Sequence, residues 1–403
     1  MHRVKISHIE TIKSTEHPNI LWIEIYTDEG ITGLGETFFG PAAVEAYIHE
    51  FACQKLIGAD PFDMEKIASS LIGYLGFSGS GVEMRGNSAI DIALWDLYAK
   101  AINQPIYQAL GGKSRDQIRT YNTCAGSHYI RSTETQSSKN WGLGKSADKG
   151  IGFDDLNAFL NNADELALSL LEDGITAMKI WPFDKYAEAS NGSYISGPDL
   201  DNALEPFRKI RKAVGNKMDI MVEFHSLWNL PMAIKIAERL EEFDTFWHED
   251  PIKMDGFGVL SRYAQKSKAP LCVSETLGGK RAYKELLETN ATGVIMLDLS
   301  WCGGISEARK IAAMADAYHL PVAPHDCTGP VVLAASTHLS LHAPNALVQE
   351  TVRAFYNGWY KDYVTDLPHV NDGHISVSNK AGLGLSLLPD VKSRAHVTVK
   401  SST

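Results

Sequence analysis

The hydrophobic pattern of the N-terminal part of the chain is that of β-strands. Apolar and polar residues alternate over residues 4–12 and 20–26, and again over residues 31–36 after the turn Asp28-Glu29-Gly30. A spacing of two places one face of each segment in a core and leaves the other in solvent. The sequence therefore predicts a three-stranded meander at the N-terminus.

The pattern then changes to that of helices. From Pro41 onward apolar residues recur at helical spacing, and the clearest such segment, residues 88–110, ends at Gly111-Gly112. Glycine is common directly after the last turn of a helix, because it tolerates a positive φ angle. We expect the strands and helices of residues 1–118 to form one α+β domain.

After Gly112, short apolar runs alternate with amphipathic helical segments. This alternation is typical of parallel βα units, in which helices cover a buried sheet. Eight strands are predicted, over residues 119–124, 175–180, 218–224, 246–250, 271–275, 293–298, 321–325 and 347–350. The fold class is therefore α/β, with a barrel over residues 119–370 and a separate C-terminal segment over residues 371–403.

One connection in the predicted barrel is unusually long. Residues 132–155 include the polar stretch SSKNWGLGKSADKGIGFDD and exceed the length of an ordinary connection between a strand and a helix. A lid over the barrel mouth, an arm that contacts another subunit and a flexible insertion all agree with this composition.

Composition and charge exclude several classes of protein. The 403 residues carry a formal net charge of -11, with no block of lysine and arginine that could follow a nucleic-acid backbone. No apolar run reaches the roughly 18 residues that span a bilayer. The five cysteines form no Cys-x-x-Cys pair, which argues against a thiolate zinc site. We expect a cytoplasmic protein that binds neither nucleic acid nor membrane.

Titratable residues end nearly every predicted barrel strand. The carboxyl ends of barrel strands meet at one face, where barrel enzymes hold their active sites, so these side chains are expected to surround one cavity. In chain order they are Lys179, Glu223 with His225, Glu249, Glu275, Asp298, His325 and Glu350.

Three of these residues, Glu223, Glu249 and Glu275, come from consecutive strands. Three carboxylates around one point repel each other unless a cation neutralises them, and an all-oxygen ligand set favours Mg2+ over zinc. The sequence therefore predicts that this glutamate trio binds Mg2+.

The two histidines are candidate acid–base groups. Asp298 ends the strand next to the one that precedes His325, so its carboxylate can hydrogen-bond the imidazole and set its tautomer. His225 lies two residues after Glu223, a spacing that places both side chains on the same side of a strand. We expect both imidazoles to face the same cavity.

Lys179 and Trp301 complete the candidate site. Lys179 lies in the apolar strand Ala-Met-Lys-Ile-Trp, where an ammonium group is expected to pair with an anion, either on the substrate or on a neighbouring strand. Trp301, just past Asp298, can form an apolar wall over a ligand or pack within the protein.

Five segments of the chain form a recognisable set. They are NSAIDIALWDLYAKAINQPIYQALGG (87–112), WHEDP (247–251), SETLGG (274–279), DLSWCGGISEARKIAAMADAYHLPVAPH (298–325) and AGLGLSL (381–387). Together they resemble the mandelate racemase/muconate lactonizing enzyme family of the enolase superfamily, and within it the acid-sugar dehydratases of the galactonate type. The resemblance implies a (β/α)7β barrel under an N-terminal capping domain that the C-terminal tail completes.

The resemblance also implies roles for the candidate residues. The glutamate trio would bind Mg2+, Asp298 and His325 would form the catalytic dyad, and Glu350 would hydrogen-bond the substrate carboxylate or enolate. The implied enzyme is a lyase that removes the proton next to the carboxylate of a small acid sugar. We expect it to be a homo-oligomer.

One position departs from the racemase pattern. Many members carry Lys-x-Lys at the end of the second barrel strand, with the second lysine as a base, whereas this chain has Lys179-Ile180-Trp181. Trp181 cannot accept a proton, and His225 is placed as in galactonate-type dehydratases. The resemblance thus implies dehydration of an aldonate or aldarate to a 2-keto-3-deoxy acid. Racemisation, epimerisation or cycloisomerisation through the same enediolate is the alternative.

Overall fold

An antiparallel sheet begins the chain in the computed structural model, which describes residues 4–72, 79, 81–133, 137–145 and 154–403. Strands β1 (Ile6–Ser14), β2 (Ile20–Thr27) and β3 (Thr32–Phe38) pair in sequence order. The predicted meander is confirmed. Successive side chains of a strand point to opposite faces of the sheet. The apolar residues of β1 and β2 on one face are buried under the helices that follow.

Among the described residues, five α-helices and a π-helical segment (Ile48–Ala52) follow the meander, and the longest helix packs directly on β3. The α-helices are α1 (Pro41–Tyr47), α2 (Cys53–Leu56), α3 (Met64–Ile72), α4 (Val82–Ala101) and α5 (Ile106–Ala109). A Cβ atom on Gly33 or Gly35 would lie 2.0 Å from a backbone oxygen of α4, so glycine at both positions permits this close approach.

The prediction of one continuous helix over residues 88–110 is wrong. Helix α4 ends at Ala101, Asn103 has a φ of 52°, and α5 begins only after Pro105. Proline has no N–H for the helical ladder and disfavours helical geometry in the residue before it, so the segment breaks at this point.

Eight parallel strands form the barrel, and all eight predicted strands are confirmed. They are β4 (Ile118–Thr123), β5 (Ala177–Ile180), β6 (Asp219–Glu223), β7 (Trp247–Glu249), β8 (Leu271–Val273), β9 (Val294–Leu297), β10 (Val322–Pro324) and β11 (Gln349–Thr351). Each pairs with the next from β4 to β10, and β11 pairs with β4. Between β10 and β11 the contact is a parallel bridge from Val322 to Ala346.

Helices cover the outside of these strands. They are α6 (Asp155–Asn161), α7 (Ala163–Glu172), α8 (Asp184–Ser190), α9 (Gly197–Ala203), α10 (Glu205–Val214), α11 (Leu230–Leu240), α12 (Phe257–Ala264), α13 (Gly279–Glu288), α14 (Gly304–Ala317), α15 (Pro330–His342) and α16 (Arg353–Asn357). Inside the barrel that these strands form, the side chains of Tyr121, Met221, Trp247 and Met296 belong to one buried cluster. The barrel interior is therefore packed rather than open.

The C-terminal segment returns to the beginning of the chain. A hairpin of β12 (His369–Asn371) and β13 (His374–Ser376) pairs with β4, and β14 (Val397–Ser402) pairs antiparallel with β1. The C-terminal tail thus adds a fourth strand to the N-terminal sheet. In the part of the chain that the structure describes, no helix is long and apolar enough to cross a membrane.

Asp96 of α4 ties the capping domain to the C-terminal segment. Its carboxylate is fully buried, accepts hydrogen bonds from the backbone N–H groups of Leu34 and Leu383 at 2.9 and 2.8 Å, and pairs with the Lys100 ammonium at 2.6 Å. Burial raises the pKa of Asp96, and the Lys100 charge and these hydrogen bonds act against that rise.

Asp96→Ala is expected to lower the free energy of unfolding by about 2–5 kcal/mol, because it leaves two buried N–H groups and a lysine without their acceptor. Urea denaturation of both proteins measures the difference. Asp116→Ala, which removes a fully exposed carboxylate, is the matched control and is expected to leave the midpoint unchanged. An unchanged midpoint in Asp96→Ala would contradict the structural role of this residue.

Candidate active site

The side chains predicted from the strand ends lie together at one cavity of about 210 Å³. The predicted residues that line it are Lys179, His225, Glu275, Trp301 and His325. The other predicted residues, which contact these, are Glu223, Glu249, Asp298 and Glu350. The structure thus brings all nine together at the carboxyl ends of the barrel strands.

The glutamate trio forms a compact oxygen cluster. Glu223 and Glu249 are directly paired residues on β6 and β7, and Glu275 lies two residues after β8. One carboxylate oxygen from each lies within 4.8 Å of the others. Glu223 and Glu249 are buried, while Glu275 faces the cavity. This arrangement can hold one cation, which the open side of the cavity leaves accessible to a ligand.

The electrostatics of the trio agree with a cation site. Burial raises the pKa of Glu249 well above its usual range, and the neighbouring Glu223 carboxylate raises it further. Burial also raises the pKa of Glu275. In the described structure, Oε2 of Glu223 is buried without a hydrogen-bond partner. An all-carboxylate set in which one buried oxygen accepts no hydrogen bond fits a hard divalent cation such as Mg2+.

Lys179 is the buried positive charge among these carboxylates. Its Nζ lies 2.6 Å from Glu249, 3.0 Å from Glu350 and 3.5 Å from Glu223. Burial lowers the pKa of Lys179, but the carboxylates outweigh burial and raise it well above its usual range. The lysine therefore pairs with protein carboxylates from three strands. The sequence predicts an anionic partner either on the substrate or on a neighbouring strand, and the structure shows the second kind.

Glu350 pairs with Lys179 and is held in place by two hydrogen-bond donors. It accepts hydrogen bonds from the Thr123 hydroxyl and from the Asp326 N–H, the latter at 3.0 Å. Burial raises the pKa of Glu350, but the charges of Lys179 and His325 outweigh this and lower it. The two hydrogen-bond donors fix the carboxyl group in place.

His325 and Asp298 form the predicted dyad. The His325 Nδ1 lies 2.6 Å from Asp298 Oδ2, and Nε2 lies 3.0 Å from Glu275. Because a carboxylate can only accept, both ring nitrogens carry a hydrogen in this arrangement, with Nδ1 directed at Asp298 and Nε2 at the glutamate trio. Burial lowers the pKa of His325, but Glu275 and Glu350 followed by Asp298 raise it well above its usual range.

His225 faces the same cavity for a different reason from the one predicted. Strand β6 ends at Glu223, and both His225 and Ser226 have positive φ angles, so the alternation of a strand does not apply to them. Instead Asp184, at the start of α8, accepts a hydrogen bond of 2.7 Å from Nδ1. Burial lowers the pKa of His225, but Asp184 and then Glu223 raise it to about 10.

Aromatic side chains form two walls of the cavity. Trp301 stacks on the His325 ring with a centroid distance of 5.4 Å and donates to the Phe38 carbonyl at 3.1 Å. Trp181 lies edge-on to the His225 ring at 5.8 Å. Trp301 thus both lines the cavity and packs on the His325 ring.

Part of the long polar connection lines the cavity as well. Ser137 and Trp141 are lining residues, and Glu188 of α8 accepts hydrogen bonds from the N–H and hydroxyl of Ser138 at 2.6 and 2.5 Å. This anchor holds residues 137–145 against the barrel mouth. The rest of the predicted insertion, residues 134–136 and 146–153, lies outside the described residues.

Three residues of the site escaped the sequence analysis. Asp184 pairs with His225, Thr123 donates to Glu350, and Asp250 is a buried carboxylate that accepts from the Ser274 hydroxyl at 2.7 Å. Thr123 is the last residue of β4, and Asp250 directly follows β7. Their position at the carboxyl end of a strand was therefore a usable signal. Asp184 lies in a helix, and its partner could not be chosen from spacing.

Family models match both parts of the chain. The model described as mandelate racemase / muconate lactonizing enzyme, N-terminal domain, matches residues 3–111, and the model described as enolase C-terminal domain-like matches residues 162–391. Together they cover the capping domain and nearly the whole barrel.

Curated relatives align over almost the full chain. A D-galactonate dehydratase from Pectobacterium atrosepticum is 32% identical over 391 residues, covering 95% of this chain and 92% of the relative. A D-xylonate dehydratase from Haloferax volcanii is 29% identical over 379 residues, covering 94% and 85%. Both relatives are named dehydratases. Dehydratases are hydro-lyases, the enzyme class that the resemblance implied.

A solved structure is similar along the whole chain. It is an enolase of the mandelate racemase subgroup from Agrobacterium tumefaciens, with a succinimide residue, sodium and phosphate. It is 58% identical, has a TM-score of 0.87, and the match covers 99% of this chain and 98% of that one. This chain belongs to the mandelate racemase/muconate lactonizing enzyme family of the enolase superfamily.

Proposed function

We propose that this protein is a Mg2+-dependent dehydratase of a sugar acid, an aldonate or aldarate, and forms a 2-keto-3-deoxy acid. The observation that carries the proposal is that two imidazoles line one cavity beside the glutamate trio, each paired with its own carboxylate. Dehydration needs a base for the α-proton and an acid for the leaving hydroxyl, and the cavity offers one imidazole for each. The names of the curated relatives support the same reaction class.

Glu223, Glu249 and Glu275 would hold the metal. When bound, Mg2+ supplies positive charge that stabilises the negative charge developing on the substrate carboxylate as the α-proton leaves. The Lys179 ammonium and the Glu350 side chain lie beside the trio. The Lys179 ammonium would hold the same carboxylate end of the substrate, where preorganised positive charge lowers the barrier more than it strengthens ground-state binding. Glu350 would hydrogen-bond this end as the protonated acid, because only that form can donate to a carboxylate or enolate.

His325 is the proposed base. Its Nδ1–H donates to Asp298. With Glu275 engaged as a metal ligand, Nε2 would lose the carboxylate that favours its protonation and could take the α-proton. The pair of electrons from the C–H bond then forms the enediolate of the substrate carboxylate. Asp298 stabilises the imidazolium that results, because its carboxylate remains hydrogen-bonded to Nδ1.

His225 is the proposed acid. Its Nδ1 is paired with the Asp184 carboxylate at 2.7 Å, and this neighbour favours the imidazolium, the form that can donate a proton. That proton passes to the 3-hydroxyl as the C3–O bond breaks, and water leaves. The enol that remains tautomerises to the 2-keto-3-deoxy acid. Both protons are thereby accounted for by residues of the cavity.

Trp181 favours dehydration over epimerisation. A second base on the opposite face of the α-carbon would be needed to invert it, and Trp181 is the third residue of Lys179-Ile180-Trp181, where racemases carry the second lysine. The indole lines the cavity beside His225 and cannot accept a proton. Epimerisation with His225 as the second base is the alternative that the experiments below separate.

Glu249→Gln is expected to abolish Mg2+ binding and turnover while the fold remains intact. Removal of one charge relieves repulsion in the trio, so the thermal midpoint of the metal-free protein is expected to hold or rise. Isothermal titration with Mg2+, circular dichroism and keto-acid formation measure the three effects. Glu238→Gln, on the exposed face of α11, is the control. Full activity of the wild-type enzyme after chelator treatment would contradict a metal-dependent reaction.

Asp298→Asn is expected to lower kcat by about 100- to 10,000-fold, since an amide can donate its NH2 to Nδ1 and thereby move the imidazole proton to Nε2. Steady-state kinetics over a range of pH tests this expectation. Asp316→Asn, on the exposed face of α14, is the matched control. A pH–rate profile like that of the wild type would show that the pair of His325 and Asp298 is only structural.

His225→Gln is expected to separate proton removal from elimination. The base pair is intact in this variant, so the α-proton is expected to exchange with solvent, while loss of the acid lowers elimination by about 100- to 10,000-fold. Incubation in deuterated water followed by NMR is expected to show deuterium at the α-carbon, retained configuration and no keto acid.

His319→Gln, which changes an exposed histidine at the end of α14, is the control for this experiment and is expected to form keto acid like the wild type. If wild-type enzyme yields the inverted isomer carrying solvent deuterium and no keto acid, the reaction is epimerisation. That result would replace dehydration as the function and leave the metal site unchanged.

A further inference from the structure

We propose that the end of strand β3 in the capping domain positions the catalytic base, through Ser300 and Trp301 of the loop after β9. The proposal rests on the proposed function only in taking His325 as the base. Residues 37 and 38 of the cap hold two consecutive residues of this loop, and the loop in turn holds both members of the dyad.

Ser300 fixes the carboxylate of Asp298. The Ser300 N–H and hydroxyl both donate to Asp298 Oδ1, at 2.6 and 2.5 Å, while Oδ2 accepts from His325 Nδ1 at 2.6 Å. Ser300 and Asp298 are fully buried. Two donors on one oxygen prevent rotation of the carboxylate, so the other oxygen remains directed at the imidazole.

Thr37 of the cap fixes Ser300. Its hydroxyl donates to the Ser300 carbonyl at 3.0 Å, and its side chain is fully buried. This hydrogen bond joins residues that are 263 positions apart in the chain. The position of the serine, and with it the orientation of Asp298, therefore depends on the docked cap.

Trp301 extends the contact to the imidazole itself. Its indole N–H donates to the Phe38 carbonyl at 3.1 Å, and its ring stacks on the His325 ring. The residue before Thr37 makes a third contact of this kind, because Glu36 accepts from the Val332 N–H at 2.9 Å at the start of α15, the helix after β10. Three consecutive cap residues thus contact the two barrel segments that carry the dyad.

The consequence is a base whose geometry is shared between two domains. Displacements of about 1 Å at a catalytic group are enough to lower a rate strongly, since proton transfer requires close alignment. We infer that Ser300 and Thr37 are positioning residues. They affect the rate of proton removal through Asp298, and they touch neither the substrate nor the glutamate trio.

Four variants test the proposal. Ser300→Ala removes one of the two donors to Asp298, Thr37→Val removes the cap hydroxyl at constant shape, and Thr37→Ser restores it. Ser306→Ala is the matched control, because the Ser306 hydroxyl accepts from the cap residue Trp95 at 2.8 Å and so belongs to a cap–barrel contact without the dyad.

We expect kcat to fall about 10-fold in Ser300→Ala and about 3- to 10-fold in Thr37→Val, on the sugar acid that the wild type dehydrates. KM and Mg2+ affinity are expected to change less than about twofold, because the substrate and metal ligands are intact. The isotope effect with α-deuterated substrate is expected to rise, since proton removal becomes slower. Thr37→Ser and Ser306→Ala are expected to behave like the wild type.

A spectroscopic measurement tests the same contact without any substrate. In histidine-labelled enzyme, the downfield resonance of the His325 Nδ1 proton reports its hydrogen bond to Asp298. We expect this resonance to shift and broaden in Ser300→Ala and Thr37→Val and to match the wild type in Thr37→Ser and Ser306→Ala. If thermal unfolding shows that Thr37→Val is not folded, the comparison of Ser300→Ala with Ser306→Ala tests the positioning role alone.

Wild-type kcat and an unshifted resonance in Ser300→Ala would overturn the proposal. An equal fall of kcat in Ser300→Ala and Ser306→Ala would also overturn it, because the effect would then belong to cap docking in general. A wild-type enzyme without dehydratase activity would reject the proposed function alone. In that case a resonance that is lost in Ser300→Ala and kept in Ser306→Ala still supports the positioning role.

Discussion

The mutual repulsion of buried carboxylates is the constraint on which the rest of the site depends. Glu223, Glu249 and Glu350 contribute carboxylates to one buried region, and their backbones are fixed by the register of parallel strands, so the charges cannot move apart. Lys179 is close enough to pair with all three. A single ammonium cannot neutralise these three together with Glu275, and a divalent cation at the trio would offset most of the remaining negative charge.

Neighbouring carboxylates also determine how the environments of His325 and His225 differ. Each imidazole has its own carboxylate, but the surroundings differ: the His325 side chain is 5% exposed and faces the trio, whereas the His225 side chain is 29% exposed and pairs with Asp184 outside it. A cation at the trio would act most directly on His325, whose Nε2 lies 3.0 Å from Glu275. In the proposed reaction, that imidazole would accept a proton and the other would donate one. Two residues of one type can thus take opposite roles because their neighbours differ.

Much of this architecture could be predicted from sequence, because parallel strands place their carboxyl ends at one face whatever the details of packing. This rule was sufficient to bring together the glutamate trio and to pair Asp298 with His325. It was insufficient for His225, whose orientation comes from two residues with positive φ and from Asp184. The break of the predicted helix at Pro105 was readable from the missing N–H of proline. Contacts between distant segments, such as that of Thr37 with Ser300, have no signal in one sequence.

These distant contacts change how the capping domain is understood. A barrel by itself supplies the carboxylates and imidazoles, since all of them follow barrel strands. What it does not supply is the full set of contacts that orient them, because Ser300 and Trp301 each contact β3 as well as the dyad. A small shift of the cap would therefore reach Asp298 and His325 directly, through Ser300 and Trp301. The hydrogen bonds that join the cap to the barrel are thus also contacts that orient this pair.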